Sequence, residues 1–396
     1  MVIPSRNGKE LLAAQMPGVI RELERFPAEV IVVDNGSGDG TAEWLQSEWP
    51  QVQVEISTTP LSFARAVNRG IRRARYSHVC LLNNDMIIDV EFFAAFMRAF
   101  ERVPDLFCAT AQIFFPPGVR REETGKAVYS QPEPNDFPIR CDLPLPGEDL
   151  TWVLYGSGGC SLYDTVKLRA LGGIDPAYDP AYVEDLDIGY RAWQRGWASV
   201  YVAGARLEHR HRATTSRYYS EAQLAAILEI NYLKFVARAV SSAATFGKLW
   251  DQALLRLRLR KDLHALRAAP WIALRGGPRG PAVYSEELIL ALGSGAISVF
   301  PGAMPPAEPR VLVASSSVSV EPPAGAVVVA FSDGLEAPPG LLARAAEVVV
   351  VVQSGGALAF RAALQQSVLK WRPVVAYLEG AGMAQFAPDC APARIG

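Results

Sequence analysis

The sequence is poor in the features that would tie it to a secreted, membrane-spanning or nucleic-acid-binding class. Its five cysteines, at 80, 108, 141, 160 and 390, are scattered, odd in number and never spaced CxxC, which argues against a disulfide framework and a structural zinc site. No run of about 18 uninterrupted apolar residues occurs, and the first residues lack a charged-then-apolar signal pattern. Lys plus Arg number 39 against 41 Asp plus Glu, so no overall field favours nucleic acid or an anionic membrane. No GxGxxG follows a strand and opens a helix, and "GSGDGT" fits that spacing poorly, which sets a dinucleotide oxidoreductase aside. What remains is a globular, cytoplasmic protein that meets charged partners locally.

With 396 residues, half of them apolar, the chain can bury a sizeable core in two or three domains. Met1 to Pro4 reads as a strand end, Lys9 to Arg25 as a helix that Pro17-Gly18 should kink or split, and Val30 to Val33 as a second strand. The Gly-rich turn from Asp34 to Thr41 then leads into a helix through Glu43 to Trp49. Val52 to Ile56 and Val79 to Leu82 are further strands, separated by an amphipathic helix, Ser62 to Arg75, with Phe63, Val67, Ile71 and Ala74 on one side. Strands alternating with helices predict a parallel sheet. Ligands of such sheets bind beyond the carboxyl ends of the strands, which brings Pro4 to Asn7, Asp34 to Asp39 and Asn83 to Asp85 to one crevice.

Farther along, Glu91 to Arg102 is helical in pattern, and Phe115 to Pro146, rich in Pro and charge, reads as a loop or flap. Leu154 to Leu162 holds a Gly-Ser-Gly-Gly turn. Short helices follow at Asp164 to Leu171 and Tyr182 to Trp193, the second opened by Glu184, Asp185 and Asp187, and Ser199 to Val202 is a strand. From Tyr218 to about Arg267 the composition is helical. Within it "LLRLRLRKDLHALR" mixes Leu with Arg256, Arg258, Arg260, Lys261 and Arg267, a face suited either to an anionic membrane surface or to packing on its own domain with snorkelling Arg stems. Residues 271–309, dense in Gly and Pro, read as a linker. The runs "RVLVASS", "AVVVAFS", "EVVVVVQS" and "PVVAYLE", with a helical pattern from Leu358 to Lys370, make residues 310–396 a small α/β unit.

Any one polar strand tip is weak evidence of chemistry, since Asp34 suits a turn and Glu184 and Asp185 suit the first turn of any helix. Six stretches in fixed order say more. "VIPSRNG", "VIVVDNGSGDGT", "FARAVNRGIRRAR", "LLNNDMIID", "GSGGCSLYDTVKLRALGGIDPAY" and "EDLDIGYRAWQRGW" resemble the family 2 glycosyltransferases of GT-A fold, closest to the rhamnosyltransferase-like branch, where Asn-Asn-Asp often replaces Asp-x-Asp. The resemblance covers roughly residues 1 to 220. It implies an α/β GT-A domain at 1–217, followed by a helical extension at 218–270.

The resemblance also implies roles. Asp34 would accept the N3–H of a uracil or thymine ring in a pocket walled by Pro4, Ser5 and Arg6, with Asp39 as a second candidate and Asn68 in the same nucleotide-sugar set. Asp85 would bind Mg²⁺ or Mn²⁺, as a strand-end carboxylate suits a hard cation that also takes diphosphate oxygens. Asn83 and Asn84 would hold the sugar or ribose without adding charge. The second metal ligand would be His209, after the last strand, with His211 as its rival and Arg210 or Arg212 on the diphosphate. Asp185 would be the general base, with Glu184 as the alternative and Asp187 orienting the acceptor.

The expected activity is therefore inverting, metal-dependent transfer of a sugar from a UDP- or dTDP-sugar to a saccharide or lipid-linked acceptor in cell-surface polysaccharide synthesis. Its expected place is the cytoplasm, with peripheral contact at the inner face of the cell membrane if the Leu–Arg helix docks there. Two alternatives are weighed against this: a catalytically inactive sugar-nucleotide or glycan binding module, and a sugar-phosphate nucleotidyltransferase. A binding module needs no base, and "PSRNG" lacks the Gly-rich, Arg-containing loop of the nucleotidyltransferases.

Overall fold

The computed structural model describes residues 1–103, 105–115, 150, 153–210, 218–273, 286–291, 297–301, 312–315, 329–331, 348–352 and 374–378. Eight strands form the main sheet: β1 (Val2–Ser5), β2 (Ile31–Asn35), β3 (Gln53–Ser57), β4 (His78–Leu82), β5 (Met86–Ile88), β6 (Cys108–Phe114), β7 (Cys160–Asp164) and β8 (Ser199–His209), in the order β3-β2-β1-β4-β7-β6-β8-β5. From β3 to β4 the strands are parallel. β7 then runs antiparallel between β4 and β6, and β5 antiparallel to β8. The architecture is a mostly parallel α/β sheet flanked by helices, as the resemblance implies.

Helices α1 (Lys9–Leu23) and α4 (Phe92–Arg102) cover one face of this sheet and α3 (Phe63–Arg73) and α5 (Thr165–Ala170) the other, while α6 (Glu184–Gln194) contributes side chains to both cores. The sequence of β2 shows why both faces are filled: Val32 points into the core with Leu12 and Phe96, while Ile31 and Val33 point into the core with Val67 and Ile71. A strand buried on both sides reads as a continuous apolar run. It turns polar only at its tip, Asp34-Asn35.

Helix α1 is unbroken, contrary to the expectation from Pro17. Pro17 removes the N–H that would bond the carbonyl of Ala13, but both residues lie on the exposed side, where water can take the freed carbonyl. Leu12, Gln15, Met16 and Val19 hold the buried side in place. β8 is also longer than expected, continuing through a bulge opposite Ala111/Gln112 to His209.

Three helices follow: α7 (Glu221–Ala239), α8 (Ala243–Leu259) and α9 (Leu263–Ala273). Arg256 does not face outward on α8 as the Leu–Arg pattern suggested. It is buried, with its guanidinium donating to Glu229 of α7 at 2.8 and 3.0 Å, and Arg260 Nη1 donates to the same carboxylate at 3.0 Å. Two elements lie in the stretch expected as a linker, α10 (Glu286–Ala291) and β9 (Ile297–Pro301). Glu286 accepts the backbone N–H groups of Ser241 and Ser242 just before α8. β9 joins β10 (Leu312–Ser315), β11 (Val329–Phe331), β12 (Val348–Val352) and β13 (Val374–Leu378) in a second, all-parallel sheet of order β11-β10-β12-β13-β9. The Gly and Pro around Ile297–Pro301 had masked a short apolar strand. Most of the expected flap from Phe115 to Pro146, and the helical pattern at Leu358 to Lys370, lie outside the described residues.

Candidate active site

Parallel pairing sets the tips of β1, β2 and β4 side by side, with Ser5 opposite Asp34. Asp34 is buried, and its Oδ1 accepts the N–H of Ser37 at 3.1 Å, which closes the Gly-rich turn into a ring of backbone. Asn7 sews this turn to β1: its N–H donates to Ser37 Oγ and its Oδ1 accepts from Gly38 N, at 2.9 and 2.8 Å. Tyr218, from the far side of the domain, reaches the same place. Its hydroxyl accepts from Asn7 Nδ2 at 2.9 Å, and its ring lies under the Arg6 guanidinium at 4.1 Å.

The tip of β4 has a tighter construction. Gln15, buried on α1, donates from Nε2 to the carbonyls of both Asn83 and Met86, at 2.6 and 2.7 Å, and so clasps the turn that contains Asn84 and Asp85. Asn84 is buried and donates to Ser5 Oγ at 2.9 Å. A Cβ on Gly8 would come within 2.2 Å of that amide, so glycine there is what admits it. Asn84 thus ties β4 to β1 from inside.

Directly after the turn, β5 pairs with the end of β8 in a register that sets Met86 opposite His209, and Arg210 N donates to the Asp85 carbonyl at 2.8 Å. This is why apolar sequence resumes at Met86. The pairing brings Asp85 Oδ1 and His209 Nε2 to 3.6 Å, both side chains largely buried. That separation is too long for a hydrogen bond, and it suits two neighbouring ligands of a small divalent ion with bonds of about 2.0–2.2 Å. Among the described residues no cluster of three or more His, Cys, Asp or Glu could hold a metal. The remaining ligand positions would fall to diphosphate oxygens and water, as Mg²⁺ and Mn²⁺ tolerate. The residues fit such an ion. His209 is the last residue of β8 and not beyond it, while His211 and Arg212 lie outside the described residues.

The third part is the start of α6. Asp185 Oδ1 accepts the N–H of Leu186 at 2.8 Å and its Oδ2 the N–H of Gly158 at 3.4 Å. Gly159, the next residue, accepts Asn83 N on its carbonyl at 2.8 Å, and a Cβ there would meet the Asn83 amide at 2.4 Å. The Gly-Ser-Gly-Gly turn therefore bridges Asp185 to the strand tip that carries Asp85. Glu184 faces inward. Burial first, and the neighbouring Asp185 charge second, push its carboxyl well above the usual range, because both disfavour its charged form.

Three other sequence candidates have structural work. Asp39 accepts Thr41 N and Lys9 N, each at 3.1 Å, and joins the starts of α1 and α2 (Thr41–Glu48). Partial burial raises its pKa, but these hydrogen bonds prevail and the net shift is downward. Asn68 spends both ends of its amide on Ile174, donating to the carbonyl at 2.6 Å and accepting the N–H at 2.9 Å. Asp187, expected to orient the acceptor, is buried between the Tyr178 hydroxyl at 2.9 Å and Arg191 Nε at 2.6 Å. Sequence reasoning missed Gln15 and Tyr218. The first had a signal, a lone amide on the apolar stripe of α1; the second had none.

Residues 1–171 match the family described as Glycosyl transferase family 2. The amino-terminal part of the chain thus resembles that family, and the match supports a glycosyltransferase. Among curated proteins it is similar to the N-acetylglucosaminyl-diphospho-decaprenol L-rhamnosyltransferase of Mycobacterium tuberculosis, at 28% identity over 267 residues, 61% of this chain and 82% of the relative. A second relative, the uncharacterized protein y4gI of Sinorhizobium fredii, is 22% identical over 59% of this chain and 27% of its own length. Among solved structures, GalNAc-T7 with UDP, GalNAc and Mn²⁺ has a TM-score of 0.47 at 17% identity, over 59% of this chain and 46% of the other. The mannosyltransferase PcManGT of Pyrobaculum calidifontis, in complex with GDP-Man and Mn²⁺, has 0.41 at 15%, over 69% and 72%.

Proposed function

We propose that the protein transfers a sugar, with inversion, from a UDP- or dTDP-sugar to a hydroxyl of a saccharide or lipid-linked acceptor, in the synthesis of a cell-surface polysaccharide. The observation that carries this reading is the convergence, through the Asn83–Gly159 and Gly158–Asp185 contacts, of an ion-sized Asp85–His209 pair and a helix-start carboxylate on one edge of the sheet. The similar mycobacterial rhamnosyltransferase, named for a decaprenol-linked acceptor, supports a lipid carrier here.

In this mechanism Asp34 Oδ2 accepts the N3–H of the base, with Pro4, Ser5 and Arg6 alongside, and Asn83 contacts the sugar. Asp85 and His209 would hold Mg²⁺ or Mn²⁺, which when bound would supply Lewis acidity to the departing diphosphate. Asp185 takes the acceptor proton on Oδ2 as the acceptor oxygen bonds to the anomeric carbon and the carbon–oxygen bond to the diphosphate breaks on the opposite face. The domain reading that goes with this function places catalysis in residues 1–217 and gives the second sheet no part in the chemistry.

The test is calorimetric titration of UDP and dTDP with and without Mn²⁺, on the native protein and on Asp85→Ala. Metal-enhanced binding of either nucleotide, lost in the variant, is expected. A folded protein that binds neither would end the proposal.

A further inference from the structure

Among the described residues, one face of the helical extension has no partner. Leu255 and Leu259 of α8 and Leu263 and Trp271 of α9 are 48, 51, 63 and 71% exposed, and they are half of the large exposed hydrophobic side chains among the described residues. Scattered singly such residues need no explanation; gathered on one helical hairpin they mark a contact surface. The hairpin is built to hold them there. Lys261 takes a left-handed φ of 57° after α8, Asp262 N donates back to Leu257 O at 2.9 Å, and Asp262 Oδ1 accepts Ala265 N at 3.0 Å to start α9. Ala253 and Leu257 of α8, with Ala265 and Ala269 of α9, are buried in the core that includes Leu233 and Phe235 of α7.

Charge singles out the partner. Arg258, Lys261 and Arg267 are exposed among these apolar side chains, and Arg256 and Arg260 share Glu229 beneath them. Within Leu255 to Trp271 the only acid is Asp262, in a chain whose formal net charge is −2. A protein groove that took Leu259 and Leu263 would also have to desolvate Arg258 and Lys261. The headgroup boundary of a bilayer accommodates both, with acyl chains for the Leu and Trp side chains and lipid phosphates for the cations.

We propose that the α8–α9 hairpin is a docking surface for an anionic lipid membrane. No helix among the described residues is long and apolar enough to cross a bilayer, so the contact is one of lying on the surface. It rests on the proposed function for its purpose: α7, which carries the hairpin, also donates from Asn231 Nδ2 to the carbonyls of Tyr178, Ala181 and Tyr182, immediately before Glu184 and Asp185. The surface that touches lipid and the helix that bears the base are thus fixed to one element, as transfer to a lipid-linked acceptor requires.

The experiment is co-sedimentation of the full chain with phosphatidylcholine vesicles, with and without phosphatidylglycerol, at low and raised salt, with UDP and dTDP binding measured on the same samples. Binding to the anionic vesicles is expected, weakened by salt, reduced about fivefold by each of Arg258→Ala and Lys261→Ala, and abolished by Leu259→Ser with Leu263→Ser while UDP binding stays intact. Equal pelleting of the variants, or no pelleting of a native protein that still binds UDP, overturns the docking surface alone. Self-association without vesicles that the Leu variants abolish would assign the face to a second copy and also overturn it. Binding of neither UDP nor dTDP, with vesicle binding intact, would instead strike the functional reading.

Discussion

Glu184 and Asp185 are neighbours in sequence and opposites in setting. A glutamate whose folded pKa lies well above its ordinary 4.5 binds a proton that the unfolded chain releases, so its contribution to stability is complete below about pH 4.5 and is lost as pH rises through the folded value. Glu184→Gln keeps the neutral shape at every pH. Denaturant melts should therefore show the variant as stable as the native protein in acid and more stable at neutral pH. Its kcat should stay close to native, whereas Asp185→Asn should lose about 10²- to 10⁴-fold in kcat with nucleotide binding unchanged. The opposite pattern would transfer the base to Glu184.

At the level of elements, the ion pair of ligands depends on a clasp. Gln15 joins α1 to the turn between β4 and β5, and Gln15→Leu would take its amide donor from the carbonyls of Asn83 and Met86, leaving the first only the Met86 N–H at 3.3 Å. A loss of about 1–3 kcal/mol in stability is expected, together with weaker Mn²⁺-dependent UDP binding and unchanged binding in the absence of metal. Equal weakening in both conditions would show that the clasp serves the fold and not the ion pair. The strands and helices of residues 1–82, and α4, were legible because apolar periodicity and polar tips coincide there, as in β2 with its Asp34-Asn35 end, whereas β5 and β6 were not. Nor was the strand register. Nothing in "ARLEH" announced that β8 would run to His209, since this depends on the partner β5, more than a hundred residues earlier. Asn84, Asn68 and Asp187 suited the site by residue type, but their amides and carboxylate are taken up by backbone and side-chain partners that only tertiary packing supplies.

At the scale of the whole molecule, the stretch that composition marked as linker holds the catalytic part together. Glu286 caps the start of α8 from a distance, and Ile289 is buried in the main core. A chain ended at residue 296 should keep nucleotide binding and melt close to the full protein, while one ended at residue 273 should melt lower, by the order of 1–2 kcal/mol for a lost cap. Equal melting of the two would show α10 to be dispensable. The register between Met86 and His209 also has a consequence for how the protein is made. As the chain leaves the ribosome, the nucleotide-facing tips of β1, β2 and β4 appear long before the end of β8, and proteins of this size fold in stages. Asp85 has no partner ligand until residue 209 has been synthesised and zipped against β5. On the proposed function, the nascent chain would therefore gather its nucleotide half early, but would become able to grip a metal-bound donor only when its main sheet is complete.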